Sequence, residues 1–368
     1  MKRHFWSFFL ALPFVFVACK QEKTDEKTKE LTAQEAVFQF KTNLYKNAVD
    51  TVFKKYDFNA SVGVFEDSIL VYRKNQGFEN FKSQTQISDA SIFPIASISK
   101  QFTAVLILKK AEEGLLNVQD PVAKYLSNFN TSDKAKITIE QLMNHTSGIS
   151  DAANNLVSKP GAEFNYSNKG FRYLGDVLEK ATGKSYSQNA QELFKQVGLN
   201  STFTADQFTG SNFASAHIGT LKTAQEVPGM PKRLVDESIS IPAGGILSTV
   251  NDLHLWNQKL YGGKILNAEF LKKFQTQSAE RNHQVLGKMG YGYGIMMSKT
   301  EPLSYFHSGY IKGAPSLNVY YPKTKTSLII LSNFANEGIG KNAIFQPHKD
   351  LKAAADAIES ASPTATLN

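Results

Sequence analysis

The sequence predicts an α/β protein of the α+β sandwich kind. One antiparallel sheet is formed by the N- and C-terminal segments, and a helical lobe is inserted between them. Three observations lead there. Runs rich in β-branched and aromatic residues occur near residue 60 and again beyond residue 300. The stretch from about 100 to 280 has helical character, cut by Gly and Pro. No segment repeats, so strands at the two ends must complete a shared sheet.

Taken in order, the chain opens with "MKRHFWSFFLALPFVFVAC": a basic start, an apolar run from Phe5 to Val17 and a small residue before Cys19. The run is short for a spanning helix and has the plan of a secretory signal. It resembles a bacterial lipoprotein signal. That resemblance implies cleavage after residue 18, a lipid on Cys19, the membrane as a partner, and an exported lipoprotein of the cell envelope. Cys19 is the one cysteine, so no intramolecular disulfide supports the fold. Residues 19–33 are charged and without apolar periodicity, which predicts a solvated tether before a domain at 34–360.

Within that domain Val37, Phe38, Leu44, Val49, Val52 and Phe53 recur at helical spacing. "ASVGVFEDSILVYRKNQGFEN" then reads as a hairpin turning at Glu66-Asp67. A helix is predicted from Ile98 to Lys110. Its "FTAVLIL" is apolar all round, so it lies buried between layers until Gly114 ends it. The helical lobe is placed at about 115–285. "TIEQ" at 138–141 fits a capping box. "HKDLKAAADAIE" is a last helix.

Composition narrows the function. Of 368 residues 42% are aliphatic or aromatic and 20% charged, as in ordinary globular proteins. The net charge is +8, but basic residues are scattered among acids, with no stripe interleaved with aromatics. A nucleic-acid partner is therefore not expected.

Chemistry enters at "FPIASISKQF". Ser97 and Lys100 stand three apart at a helix start, on one face. A serine hydroxyl needs a base, and a lysine serves only if burial lowers its pKa. "FNYSNKGF" puts Tyr166 and Asn168 two apart, facing one way if the chain is extended. "FHSGYIKG" sets His307, Ser308 and Gly309 on a strand, where the glycine lets a substrate backbone come close.

In this order S-x-x-K, Y-x-N and His-Ser-Gly resemble the penicillin-recognising serine hydrolases: class C β-lactamases, serine D-Ala-D-Ala carboxypeptidases and related esterases. "LMNHTSGI", "PAGGILSTVNDLHLW" and "YGYG" are similar too, and the resemblance runs from about 45 to 335. It implies a β-lactamase/transpeptidase-like fold and a covalent Ser97 acyl-enzyme. Lys100 and Tyr166 would take the proton, and Tyr166 would return it to the leaving group. Asn168 would hold the substrate amide and the lysine, and His307, Ser308 and Gly309 would line the substrate. Backbone N–H groups of Ser97 and Tyr310 would form the oxyanion hole. No metal and no cofactor is implied. His307 departs from the lysine of class C lactamases and, as an imidazole, is mostly neutral at neutral pH.

The remaining motifs read as structure. His145 sits between a helix and a Gly turn. His217, His254, His283 and His348 are isolated, without metal-ligand spacing. No G-x-S-x-G elbow occurs. The substrate stays open among an amide or D-peptide, an ester and a β-lactam, with a non-catalytic penicillin-binding sensor as the alternative outside enzymes.

Overall fold

The computed structural model describes residues 32–235 and 239–362. The expected signal, Cys19 and most of the tether lie outside the described residues.

Helix α1 (Ala33–Tyr56) begins at the last residue of the stretch expected to be tether. Thr32 and Glu35 form a capping box there, satisfying two otherwise orphaned backbone donors. Asp57, in the left-handed region, ends the helix and turns the chain into the hairpin β1 (Ala60–Glu66) and β2 (Ile69–Gln76).

The helical segment follows: α2 (Ser99–Glu112), α3 (Ile139–Met143), α4 (Asn168–Thr182), α5 (Tyr186–Val197), α6 (Ile241–Gly244), α7 (Val250–Tyr261) and α8 (Ala268–Gln275). It ends before residue 285, because Ala279–His283 already forms strand β3 of the large sheet. Then come β4 (Gly287–Tyr291), β5 (Met296–Met297), β6 (Tyr305–Ile311), β7 (Ala314–Tyr321) and β8 (Thr326–Ser332), and helices α9 (Gly340–Ile344) and α10 (Gln346–Ala361). Among the described residues no helix is long and apolar enough to cross a membrane.

The eight strands make one antiparallel sheet in the order β3-β4-β5-β6-β7-β8-β1-β2. The first hairpin closes onto the last strand, Val62 opposite Ile330, as the separated strand-like runs predict. Strands β7 and β8 are buried along their whole length because both faces are covered. One face carries α1 and α10, whose Val49, Phe53 and Leu351 pack with Val62, Leu317 and Ile330 of the sheet. The other carries the helical lobe, where Phe102 stacks on Trp256 with centroids 4.0 Å apart. Every residue of α2 from Ser99 to Leu108 is buried, which explains its lack of a polar face. A buried ion network pins the two terminal helices: Lys41 lies 3.0 Å from Glu359 and also pairs with Glu66 at the end of β1.

Candidate active site

Strand β6 runs directly beneath the turn that carries Ser97. Residues 96–98 form a single 3-10 turn leading into α2, so Ser97 precedes the α-helix proper. Ala96 has φ 49°, a left-handed conformation that a non-glycine residue holds only when its surroundings impose it. Here Ser316 Oγ donates to the Ile95 carbonyl at 3.0 Å and Gly309 lies against Ile95 and Ala96. A Cβ at position 309 would meet the Ile95 oxygen at 2.2 Å. Gly309, expected to admit a substrate backbone, thus admits the backbone of this turn.

Ser97 is partly exposed, whereas Lys100, one turn deeper, is wholly buried. Lys100 Nζ has three contacts: the Ala243 carbonyl at 2.7 Å, Asn168 Oδ1 at 2.9 Å and Ser97 Oγ at 3.1 Å. The first two oxygens only accept. When the ammonium loses a proton it keeps those two bonds, and its lone pair faces Ser97. Burial pushes the Lys100 ammonium below the ordinary lysine range, although the nearby Tyr166 and Asp151 oppose this.

Asn168 is oriented by Asp151, a residue that sequence reasoning missed. Asp151 accepts from Asn168 Nδ2 at 2.9 Å, which turns the amide oxygen toward Lys100. Its carboxylate also accepts from the backbone N–H of Asn168 and Lys169 and from Ser167 Oγ, serving as an anionic cap on α4. Ser167 itself is extended (φ −140°, ψ 120°) and caps Gly170, so Tyr166 and Asn168 project to one side.

Tyr166 donates to Ser97 Oγ at 2.8 Å. Burial alone would raise this phenol; the charges of Lys100 and then Arg281 outweigh it and hold the pKa below the ordinary tyrosine value. The lysine and the phenol are thus both held below their ordinary ranges, and two groups that interact this closely titrate as a unit. Arg281, on β3, was also missed: its guanidinium lies 4.2 Å from the centre of the Tyr166 ring. His145 packs against the same ring, centroids 4.4 Å apart, and accepts from the Ser167 N–H at 3.2 Å. Its place is structural, as expected, but it is structure of the site: a buried imidazole, kept neutral by burial.

On β6, His307 is buried. Its Nδ1 faces the Ser308 carbonyl at 2.6 Å and its Nε2 the Tyr291 hydroxyl at 3.1 Å. A carbonyl only accepts, so the proton is assigned to Nδ1, and Nε2 accepts from Tyr291. Burial, reinforced by Arg281 and Lys100, pushes His307 well below the ordinary imidazole value, and the ring is neutral at neutral pH. Tyr291, from "YGYG", is therefore part of this layer. His283, read as isolated, reaches Ser308 Oγ from β3 at 3.4 Å. Tyr310 is partly exposed, and its ring hydroxyl is held by Glu337. All three motifs thus meet around Ser97. Asp151 and Arg281 carried no signal in the sequence: each is one charged residue in a polar stretch, and only the fold brings it to the site.

Comparison with known proteins bears on the family and the fold. Protein flp of Staphylococcus aureus (strain MW2) is 26% identical over 337 residues, covering 82% of this chain. The chain spans about 65% of that relative's length. Among solved structures, the octameric penicillin-binding protein homologue from Pyrococcus abyssi aligns with a TM-score of 0.70 at 22% identity, covering 87% of this chain and 79% of that one. D-alanine carboxypeptidase AmpC from Burkholderia cenocepacia gives 0.69 at 18% identity, over 87% of this chain and 98% of that one. The family model described as Beta-lactamase matches residues 49–344, and with that match over most of its length the chain belongs to the beta-lactamase family.

Proposed function

We propose that this protein is a serine hydrolase acting through a covalent Ser97 acyl-enzyme, with a D-Ala-D-Ala carboxypeptidase or D-peptidase activity. The observation that carries the reading is the set of three contacts on Lys100, which leaves its lone pair aimed at Ser97 Oγ.

In this mechanism Ser97 Oγ attacks the substrate carbonyl carbon as its proton passes to the Lys100/Tyr166 unit. The oxyanion of the tetrahedral intermediate lies between the N–H groups of Ser97 and Tyr310. In a 3-10 turn starting at Ala96, the Ser97 N–H has no intrahelical acceptor, which suits that role. Tyr166 delivers the proton to the leaving amine as the C–N bond breaks. Water, deprotonated by the same unit, then attacks the ester and regenerates Ser97. Asn168 holds the substrate amide. No step calls for a metal or cofactor.

The neutral His307 favours a peptidase over a lactamase of the lysine-bearing type, and the Burkholderia neighbour is a D-alanine carboxypeptidase. The signal-like N-terminus supports export to the cell envelope with a lipid on Cys19. Intact-mass spectrometry after a fluorophosphonate or benzylpenicillin tests the nucleophile. Turnover of N-acetyl-D-alanyl-D-alanine, p-nitrophenyl acetate and nitrocefin then tests the substrate. One adduct at Ser97 with peptide turnover upholds the proposal. Turnover of only the ester or only the lactam replaces the peptidase reading, a trapped adduct without turnover makes the protein a sensor, and no adduct overturns the mechanism.

A further inference from the structure

Between α10 and the β3–β4 turn lies a groove of about 330 Å³, within the size range of small-ligand sites. Phe306 faces it from β6 and packs with the cluster under α1 and α10. Side chains alternate along a strand, so its neighbour His307 points the other way, into the site of Ser97. The acyl-enzyme chemistry makes no use of this groove.

Its floor is apolar and its rim is basic. Val285, Met289 and Phe306 are buried at the floor, with Leu286 partly so. Around it stand Lys288 on β4, Lys299 after β5, and Lys349 and Lys352 on α10. The acids beside them are engaged. Lys299 pairs with Glu280 and Lys352 with Asp356 at 2.8 Å, and Asp356 also accepts from the Tyr321 hydroxyl. Among the described residues Lys288 and Lys349 have no ion pair and no side-chain hydrogen bond. One is on the strand wall and one on the helix wall, so two unpaired cations flank an apolar trough.

Such a site selects its occupant by what it can satisfy. A free phosphate would meet the lysines but leave the floor in water. A peptide would bring backbone N–H groups that need acceptors. Here Ser298 Oγ already donates to the Pro302 carbonyl at 2.9 Å and accepts from the Ser304 N–H at 2.8 Å, and Asp356 is taken. An aliphatic chain needs no partners and gains by leaving water. A phosphate head is an anion that paired lysines hold well.

We propose that the groove binds an anionic phospholipid, with the phosphate between Lys288 and Lys349 and the first part of an acyl chain along Val285, Met289 and Phe306. A bilayer is the source that the chain itself suggests. Thr32 stands thirteen residues after the Cys19 expected to carry a lipid, so at most about 45 Å of chain separates the layer of α1 and α10 from a membrane. That distance rests on the export reading above; the chemistry of the groove does not, and neither depends on the acyl-enzyme.

The experiment is calorimetric titration of the full chain with monomeric dihexanoyl phosphatidylglycerol, dihexanoyl phosphatidylcholine and inorganic phosphate. Wild type is compared with K288Q/K349Q and with A353E. Ala353 lines the groove from an exposed position on α10, so A353E sets a carboxylate in the groove without touching the core. Matching melting curves confirm that all three proteins are folded. The apolar leader and any lipid on Cys19 are common to them, so a difference between them arises in the groove. Wild type is expected to bind phosphatidylglycerol at least about tenfold more tightly than either other probe. K288Q/K349Q is expected to lose about tenfold or more of that affinity, the worth of two lysines at an anionic lipid, and A353E at least as much. Equal affinity for phosphatidylcholine or for phosphate, unchanged affinity in either variant, or no binding to wild type overturns the proposal.

Discussion

The Nδ2 of Asn168 donates to Asp151 at 2.9 Å, and this one bond fixes which way the Lys100 lone pair points. A carboxylate only accepts, so the amide cannot flip without losing it. The amide oxygen is thus held at Lys100, and the lysine's remaining direction is toward Ser97. Asp151→Asn should release that orientation. Turnover is expected to fall about 10–100-fold, the range for one misdirected catalytic hydrogen bond. The melting temperature should drop by a few degrees, as for loss of a helix cap worth about 1–2 kcal/mol. Unchanged kcat with only the stability loss would reduce Asp151 to a cap.

Ser97→Ala should abolish covalent labelling and lower turnover by at least about 10⁴-fold with the melting curve preserved. Lys100→Met should cost nearly as much, since residues that act as a unit fail together. Intact mass and steady-state kinetics on the two variants and the double variant check this. A double variant far worse than either single one would show that the two groups act independently.

The pH profile follows from the lysine and phenol shifts. Burial lowers Lys100, so its neutral form appears below the pH at which a free lysine would lose its proton. The ascending limb of kcat/KM is expected below about 10, the ordinary range for lysine and tyrosine. Histidine 307 stays neutral through the same range and should add no limb near 6.5. A limb near 6.5 that disappears in His307→Gln would contradict the assignment.

Stability should fall on acidification. His145, His307 and His348 are buried, and burial holds each below the free imidazole value, His348 at about 3. Below pH 6.5 the unfolded chain binds protons that the folded chain does not, so stability rises with pH in this window and is lost as pH falls. Each such histidine contributes about 1.4 kcal/mol per pH unit. Melting temperatures from pH 7 to pH 5 measure the slope, and His348→Gln should flatten it.

Gly309→Ala should damage fold and activity together. Its Cβ would meet the Ile95 carbonyl oxygen at 2.2 Å and Ser316 Oγ at 2.3 Å, so β6 must separate from the turn of Ser97. Overpacking of this kind costs about 1–3 kcal/mol. An alanine variant with wild-type acylation rate and melting temperature would mean that the turn and the strand move freely apart.

Local pattern carried much of this molecule. The β-branched runs at the two ends, the all-round apolar α2 and the Thr138 capping box are short-range features, and each is realised within a few residues. So are Ser97 and Lys100, which one helical turn brings together, and Tyr166 and Asn168, which an extended Ser167 aligns. Only the tertiary structure decided how these groups are oriented and charged. Asp151 reaches Asn168 across a loop, Arg281 reaches Tyr166 from the far edge of an eight-stranded sheet, and His283 reaches Ser308 over 25 residues. A hydrogen-bond direction or a shifted pKa depends on what a group faces through space and how dry that place is. A charged residue alone in a polar stretch gives no sign of either until the chain folds around it.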